Sequence, residues 1–214
     1  MTIKQPSKTF FFIDGSNFYA AQYEAFGPNQ YIDFVRFIEN IQKTLSIHFD
    51  KILFYASYSP KPPRVTKKIK SYLINEAKFF RSVKQFPNIH FFKGYRSKSG
   101  KEKLVDVQLA VDIVNSSHRK QYDQLFLMSG DADYAHALEI VSELSCQISL
   151  ISLDTRIPQR LSFIYPTTII LTKGAKKPQT HKYQKITYLT LDWDSILKKT
   201  FNNKNPEKQA PRAS

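Results

Sequence analysis

An α/β fold around a mainly parallel sheet is predicted, on three observations. Short, continuously apolar runs bounded by turn residues recur along the chain, as expected of strands buried on both faces. Segments of helical period separate them, so strand and helix alternate and the connections become right-handed crossovers. Aspartates mark three of the stretches: Phe10-Phe11-Phe12-Ile13-Asp14-Gly15, Lys103-Leu104-Val105-Asp106, and Leu125-Phe126-Leu127-Met128-Ser129-Gly130-Asp131-Ala132-Asp133. In an open α/β sheet, groups just beyond the carboxyl ends of neighbouring strands meet in one crevice, so these acids are expected to converge.

The first strand is the run 10–13. Beyond a Gly27-Pro28-Asn29 turn, residues 31–47 set Phe34, Ile38, Ile41 and Leu45 at helical spacing. Residues 51–56 read as a second strand, closed by Ser59-Pro60-Lys61-Pro62-Pro63, whose prolines exclude regular structure and stiffen the loop. A helix over 66–83 is expected to turn Ile69, Leu73 and Ala77 inward and its lysines outward. Residues 89–92 form a third strand, followed by a basic loop hinged at Gly94 and Gly100. The helix over 104–116 is apolar nearly all round and is expected to pack on the sheet.

A strand at 125–128, a helix over 134–144 and a strand over 147–153 continue the alternation. Further on, a short helix at 159–163 and a sixth strand at 168–171 are expected, then a linker over 173–178. Residues 185–191 read as an added edge strand, and Asp192-Trp193-Asp194-Ser195 as the start of a last helix. The chain thus divides into a main domain over 1–172, a C-terminal extension over 173–201 with no assigned role, and a tail over 202–214 too polar to fold.

At 214 residues, 42% hydrophobic and 23% charged, the chain supports one core with room for an extension. A formal charge of +14 and a pI near 9.7 point to a polyanionic partner, nucleic acid before an anionic membrane surface; solubility alone is the plainer explanation. One cysteine, Cys146, excludes an intramolecular disulfide and a multi-cysteine zinc site. The run 10–13 is too short for a signal-peptide core, and no run reaches the roughly 18 apolar residues of a membrane span. No membrane association and a cytoplasmic, reducing location are the expectations. The five histidines lack metal-ligand spacing, and neither a glycine-rich phosphate loop nor a Gly-x-Ser-x-Gly elbow occurs.

Each acid has a functional reading and a structural one. Asp14 can bind a metal, with Asn17 orienting it; equally, Asp14 to Asn17 can be a polar turn with a cap. Asp133 suits the N-cap of the next helix, which leaves Asp131 as a ligand and Asp133 as a second ligand or a holder of water. Ser129 can contact a phosphate or stabilise its own turn. Asp106 lies in a first helical turn, and Asp112, six residues on, does not share its face; a lysine or arginine partner or a supporting site role are both open to Asp112. Together the hard oxygen donors suit Mg²⁺ or Mn²⁺.

The motifs Ile13-Asp14-Gly15-Ser16-Asn17, Lys103-Leu104-Val105-Asp106-Val107-Gln108-Leu109-Ala110-Val111-Asp112 and Ser129-Gly130-Asp131-Ala132-Asp133-Tyr134, in that order, resemble the NYN domain, a branch of the PIN-like nucleases, and especially its LabA-like bacterial group. The resemblance covers roughly residues 9–171. It implies a PIN-like Rossmannoid three-layer sandwich and metal-dependent endonuclease activity, usually on RNA. Carried over by motif, Asp14, Asp106 and Asp131 would be the main metal ligands and Asn17, Asp112 and Asp133 would support them.

Lys93, Arg96, Lys98, Lys101 and Lys103 lead into the helix bearing Asp106 and are expected to meet phosphates at the crevice rim. Lys61, Arg64, Lys67, Lys68 and Lys70 form a second basic group at the same end of the sheet, and Tyr19, Tyr58 and Tyr95 are candidates for base stacking. The expected function is hydrolysis of RNA with Mg²⁺ or Mn²⁺, leaving 5′-phosphate and 3′-hydroxyl ends. The rival is a nucleic-acid-binding or regulatory module without turnover; a small-molecule phosphatase is disfavoured because no Asp-x-Asp follows the first strand. A homo-oligomer stays open.

Overall fold

The computed structural model describes residues 7–96, 102–156, 167–174, 179–181 and 184–199, with backbone alone at 96, 102, 103, 179–181 and 184. The expected short helix at 159–163, the linker core at 175–178 and the tail lie outside the described residues.

A single eight-stranded sheet organises the chain, in the order β10-β11-β9-β8-β7-β1-β3-β4. Its strands are β1 (Thr9–Asp14), β3 (Lys51–Ala56), β4 (Ile89–Lys93), β7 (Gln124–Met128), β8 (Gln147–Leu153), β9 (Thr167–Thr172), β10 (Gln179–His181) and β11 (Gln184–Thr190). All pairings are parallel except β10 with β11. Thus β11 is not the edge, as its sequence suggested; β10 folds back outside it.

Continuous apolarity in β1 follows from burial on both faces. Phe11 and Ile13 join one core with helices α1 (Gly15–Phe26), α2 (Phe34–Leu45) and α3 (Lys67–Lys84). Phe10 and Phe12 join the opposite core with α4 (Val105–His118) and α5 (Ala135–Glu143). The result is the three-layer α/β sandwich expected for alternating strand and helix.

Three local expectations are corrected. Residues 30–32 form a strand, β2, ahead of α2, which starts only after the Asp33 cap; β2 pairs with β12 (Leu197–Lys199). In α3 the buried side is Asn75, Glu76, Phe79, Phe80, Ser82 and Val83, while Ala77 is exposed: two polar residues are buried because they anchor loops. Asn75 donates to the Pro28 carbonyl at 2.6 Å, and Glu76 accepts from the N–H and hydroxyl of Ser59 at 2.9 and 2.7 Å.

Helix α4 is not buried all round either. Val105, Leu109, Ile113 and Ser117 form its inner stripe, whereas Val107 and Val111 are 63% and 53% exposed.

The C-terminal segment is built into the main fold. Beyond β11, a one-turn helix Trp193–Ile196 capped by Asp192 puts Trp193 and Ile196 into the first core. The Trp193 indole N–H donates to the Thr172 carbonyl at 2.8 Å. No helix among the described residues is long and apolar enough to cross a membrane.

Candidate active site

Strand order reverses at the β1/β7 seam: β3 and β4 are added on one side of β1, and β7, β8 and β9 on the other. Such a seam leaves a crevice at the carboxyl ends. Asp14 closes β1 there and Ser129 follows β7 there. By the two-residue pleat, Asp14 turns to the side of Phe10 and Phe12, the side of α4 and α5. Gly15 next to it is obligatory, since a Cβ would stand 2.2 Å from the Phe54 ring.

Asp14 is 3% exposed. Its Oδ1 accepts from the Asn17 N–H at 2.9 Å; its Oδ2 accepts from the hydroxyls of Ser129 at 3.1 Å and Tyr134 at 3.2 Å. The Tyr134 hydroxyl also lies 3.2 Å from Asp106 Oδ1, so one phenolic proton stands between two carboxylates. Burial, then the charges of Asp14 and Asp106, push this phenol far above the usual tyrosine range. It stays protonated and acts toward both acids as a donor.

The motifs give Tyr134 no role of its own, although its position in the sequence suggests one. Residues 134, 138 and 141 fall on one helical stripe with Leu138 and Val141 buried, so the tyrosine must point inward and its hydroxyl must find a partner.

Around this pair, the Ser129 hydroxyl accepts from the Asp131 N–H at 3.1 Å, and Asn17 Oδ1 accepts from the Gly130 N–H at 3.3 Å. Asp131, rather than Asp133, is the capping residue: its Oδ1 accepts from the Asp133 N–H at 3.0 Å at the head of the 3₁₀ turn Ala132–Tyr134. Asp133 is exposed. Asp131 therefore meets Asp14 through Ser129. Gly130 is pressed against the chain after β8, where a Cβ would come 2.6 Å from the Arg156 carbonyl.

Asp112 faces elsewhere. It accepts from the Tyr55 hydroxyl at 2.7 Å and from the Gln108 amide at 2.9 Å, neutral donors in place of the lysine or arginine that was one of its two readings. Burial and that hydrogen bond push the Tyr55 phenol above its usual range. Lys93 Nζ lies 5.6 Å over the Tyr58 ring. The backbones of Arg96 and Lys103 sit in the two-residue strands β5 (Tyr95–Arg96) and β6 (Glu102–Lys103), and Lys98 and Lys101 lie outside the described residues.

Among the described residues no group of three or more His, Cys, Asp or Glu is spaced to hold a metal. Asp14 and Asp106 offer a two-carboxylate oxygen set, the kind that suits Mg²⁺, which commonly takes one or two carboxylates and keeps several waters. The donors present fit that ion.

An α/β sandwich with carboxylates at its switch point defines a class of site, and the comparisons give it a family. The NYN domain profile matches residues 8–167. The chain belongs to the NYN domain family of PIN-like nucleases, which ties it to nucleic-acid chemistry. It is 25% identical over 159 residues to the low amplitude and bright protein LabA of Synechococcus elongatus, covering 73% of this chain and 80% of that protein, in keeping with the LabA-like group. A crystal structure of a protein of unknown function from Vibrio parahaemolyticus shares the fold, with a TM-score of 0.58 at 17% identity over 79% of this chain and 96% of that one.

Proposed function

We propose that the chain is a metal-dependent endoribonuclease that hydrolyses phosphodiester bonds at the Asp14 and Asp106 carboxylates, with Mg²⁺ or Mn²⁺ as cofactor. The observation that carries this reading is the pair itself, joined by Tyr134 at the switch point of the sheet. Family membership and the charge of +14 support a nucleic-acid substrate.

Asp14 and Asp106 would hold the cation, with Asp131 and Asp133 completing its oxygen and water shell from the neighbouring turn. Bound there, a divalent ion supplies Lewis acidity and lowers the pKa of water beside the scissile phosphate. Tyr134 fixes the spacing of the two acids, and Asn17 and Ser129 lock the turns that carry them. Lys93, Arg96, Lys98, Lys101 and Lys103 are assigned to the phosphates of the strand. A cytoplasmic location belongs to the same proposal.

The test is cleavage of single-stranded RNA by the purified chain with Mg²⁺ or Mn²⁺ and with EDTA. Cleavage should stop in EDTA, and Asp14→Asn or Asp106→Asn should each lose more than the roughly 10–100-fold typical of an outer-shell change. Cleavage indifferent to chelator and to both substitutions would end the proposal. Because the described residues bring two rather than three acids together, a binding module without turnover is the second reading. It would retain RNA without cutting it in either metal.

A further inference from the structure

A second feature of the carboxyl rim is unused by the chemistry above. A cleft of about 270 Å³ lies between α1, α3 and the loop that leaves β3, walled by Tyr23, Tyr72, Pro60, Pro62, Ile69 and Leu73. Its loop begins just past Tyr55, the residue in register with Asp14. Helix α1 runs from Asp14 along the same rim: Ala21, Glu24 and Ala25 take hydrogen bonds from Thr155, Arg156 and Lys173, which follow the carboxyl ends of β8 and β9. At 1.5 Å per residue, Tyr23 stands roughly 13 Å along from Asp14, within reach of a few nucleotides.

The cleft is pre-built. Tyr19 and Tyr23, one helical turn apart, each place a ring 4.9 Å from that of Tyr72. The Tyr19 hydroxyl donates to the Tyr72 carbonyl at 2.7 Å, and buried Glu76 clamps Ser59 at the cleft mouth. These bonds occupy the N–H and hydroxyl of Ser59 and the Tyr72 carbonyl, and the cleft wall is mainly rings, prolines and the aliphatic side chains of Ile69 and Leu73. Lys68 lines the cleft, its sequence neighbours Lys61, Arg64, Lys67 and Lys70 are exposed as it is, and the stretch 61–70 has no acid. An apolar slot bordered by a basic stretch is complementary to a flat, neutral ring carried on an anionic backbone. Its volume, just under the ~300 Å³ at which ligand pockets usually begin, suits one ring system.

We propose that this cleft takes one unpaired base of a single-stranded RNA, stacked on the Tyr23 ring with Tyr72, set edge to face at 67° to it, closing the slot, while the cations of residues 61–70 hold the flanking phosphates. With stacking surfaces in place of free hydrogen-bonding groups, the site selects single strands over duplexes and discriminates little among bases. This deepens the nuclease reading by naming its substrate as an unpaired strand, and it rests on that reading only for the cutting.

The experiment uses the full chain in EDTA, so that no cleavage intervenes, and a short oligouridine carrying a single 2-aminopurine, alongside a duplex RNA. Wild type should quench the 2-aminopurine on binding. Tyr23→Ala should lose the quench and bind the single strand about 5- to 100-fold more weakly, with duplex binding unchanged. Tyr23→Phe, which keeps the ring, should behave as wild type, and Leu73→Trp, which fills the cleft, should behave as Tyr23→Ala. Wild-type binding and quenching in both Tyr23→Ala and Leu73→Trp would overturn the proposal. So would equal weakening toward single strand and duplex, which would make the effect one of charge. A chain that binds single strands through the cleft but never cleaves with metal leaves the cleft standing and removes the nuclease. Metal-dependent cleavage with intact binding in the two variants removes the cleft alone.

Discussion

Tyr134 is the residue on which the site's geometry turns. Its hydroxyl is the one group within 3.2 Å of both Asp14 Oδ2 and Asp106 Oδ1 among the bonds described. Tyr134→Phe keeps the packed ring and deletes only that oxygen. Two carboxylates then lose a shared donor, and hydrogen bonds to charged groups are worth about 1.5–3 kcal/mol each. The variant should lose stability in that range or somewhat below it, because Ser129 still serves Asp14, and a lower urea midpoint would read the loss. Cleavage should slow roughly 10–100-fold, the usual cost of losing a group that orients a metal ligand. A wild-type rate in this variant would remove the phenol from the site. That Asp14, Ser129 and Asp131 meet at one end of the sheet could be read from the chain, because each follows an apolar run that forms one of two neighbouring parallel strands. Tyr134 could not be read so directly, because a tyrosine on a buried stripe is chemically silent until the partner of its hydroxyl is known.

At the scale of elements, helix α4 separates what periodicity reveals from what it hides. A segment that is apolar on every side is compatible with burial on every side, yet only the stripe through Leu109 and Ile113 meets the sheet. Leu109→Ala should cost about 2–5 kcal/mol by emptying a core position, whereas Val111→Lys, on the outward face, should fall within about 0.5 kcal/mol of wild type. Urea denaturation of the two variants checks both, and an equal loss would mean that the outward face is covered. The strands and the order of the helices were legible because buried parallel strands leave unbroken apolar runs, as in β1, β3 and β7. The phase of α3 was not, since its inner face uses Asn75 and Glu76 to hold loops, and hydropathy cannot see a polar group that is buried for its hydrogen bonds. Nor was β2, three residues whose strand partner, β12, lies some 165 residues further along the chain.

For the molecule as a whole, buried phenols set an alkaline limit. Tyr134, Tyr55, Tyr19 and Tyr122 are all held above the ordinary tyrosine range, in each case chiefly by burial. In the unfolded chain they ionise near pH ~10. The stability these groups contribute is therefore complete below that pH and is lost above it, as the unfolded state releases protons that the folded state retains. Urea midpoints should be level with respect to these groups from about pH 7 to 9 and fall steeply above ~10. A midpoint that held its value well past that point would show that the four rings are not shielded together.

The bond from Ser129 to Asp14 spans 115 residues and that from Tyr134 spans 120. No amino-terminal fragment that stops short of β7 can contain both halves of the acidic pair's support, however well its first strands have formed. During synthesis the acidic pair therefore stays without these two donors until the strand that completes the seam, and the turn that follows it, have left the tunnel.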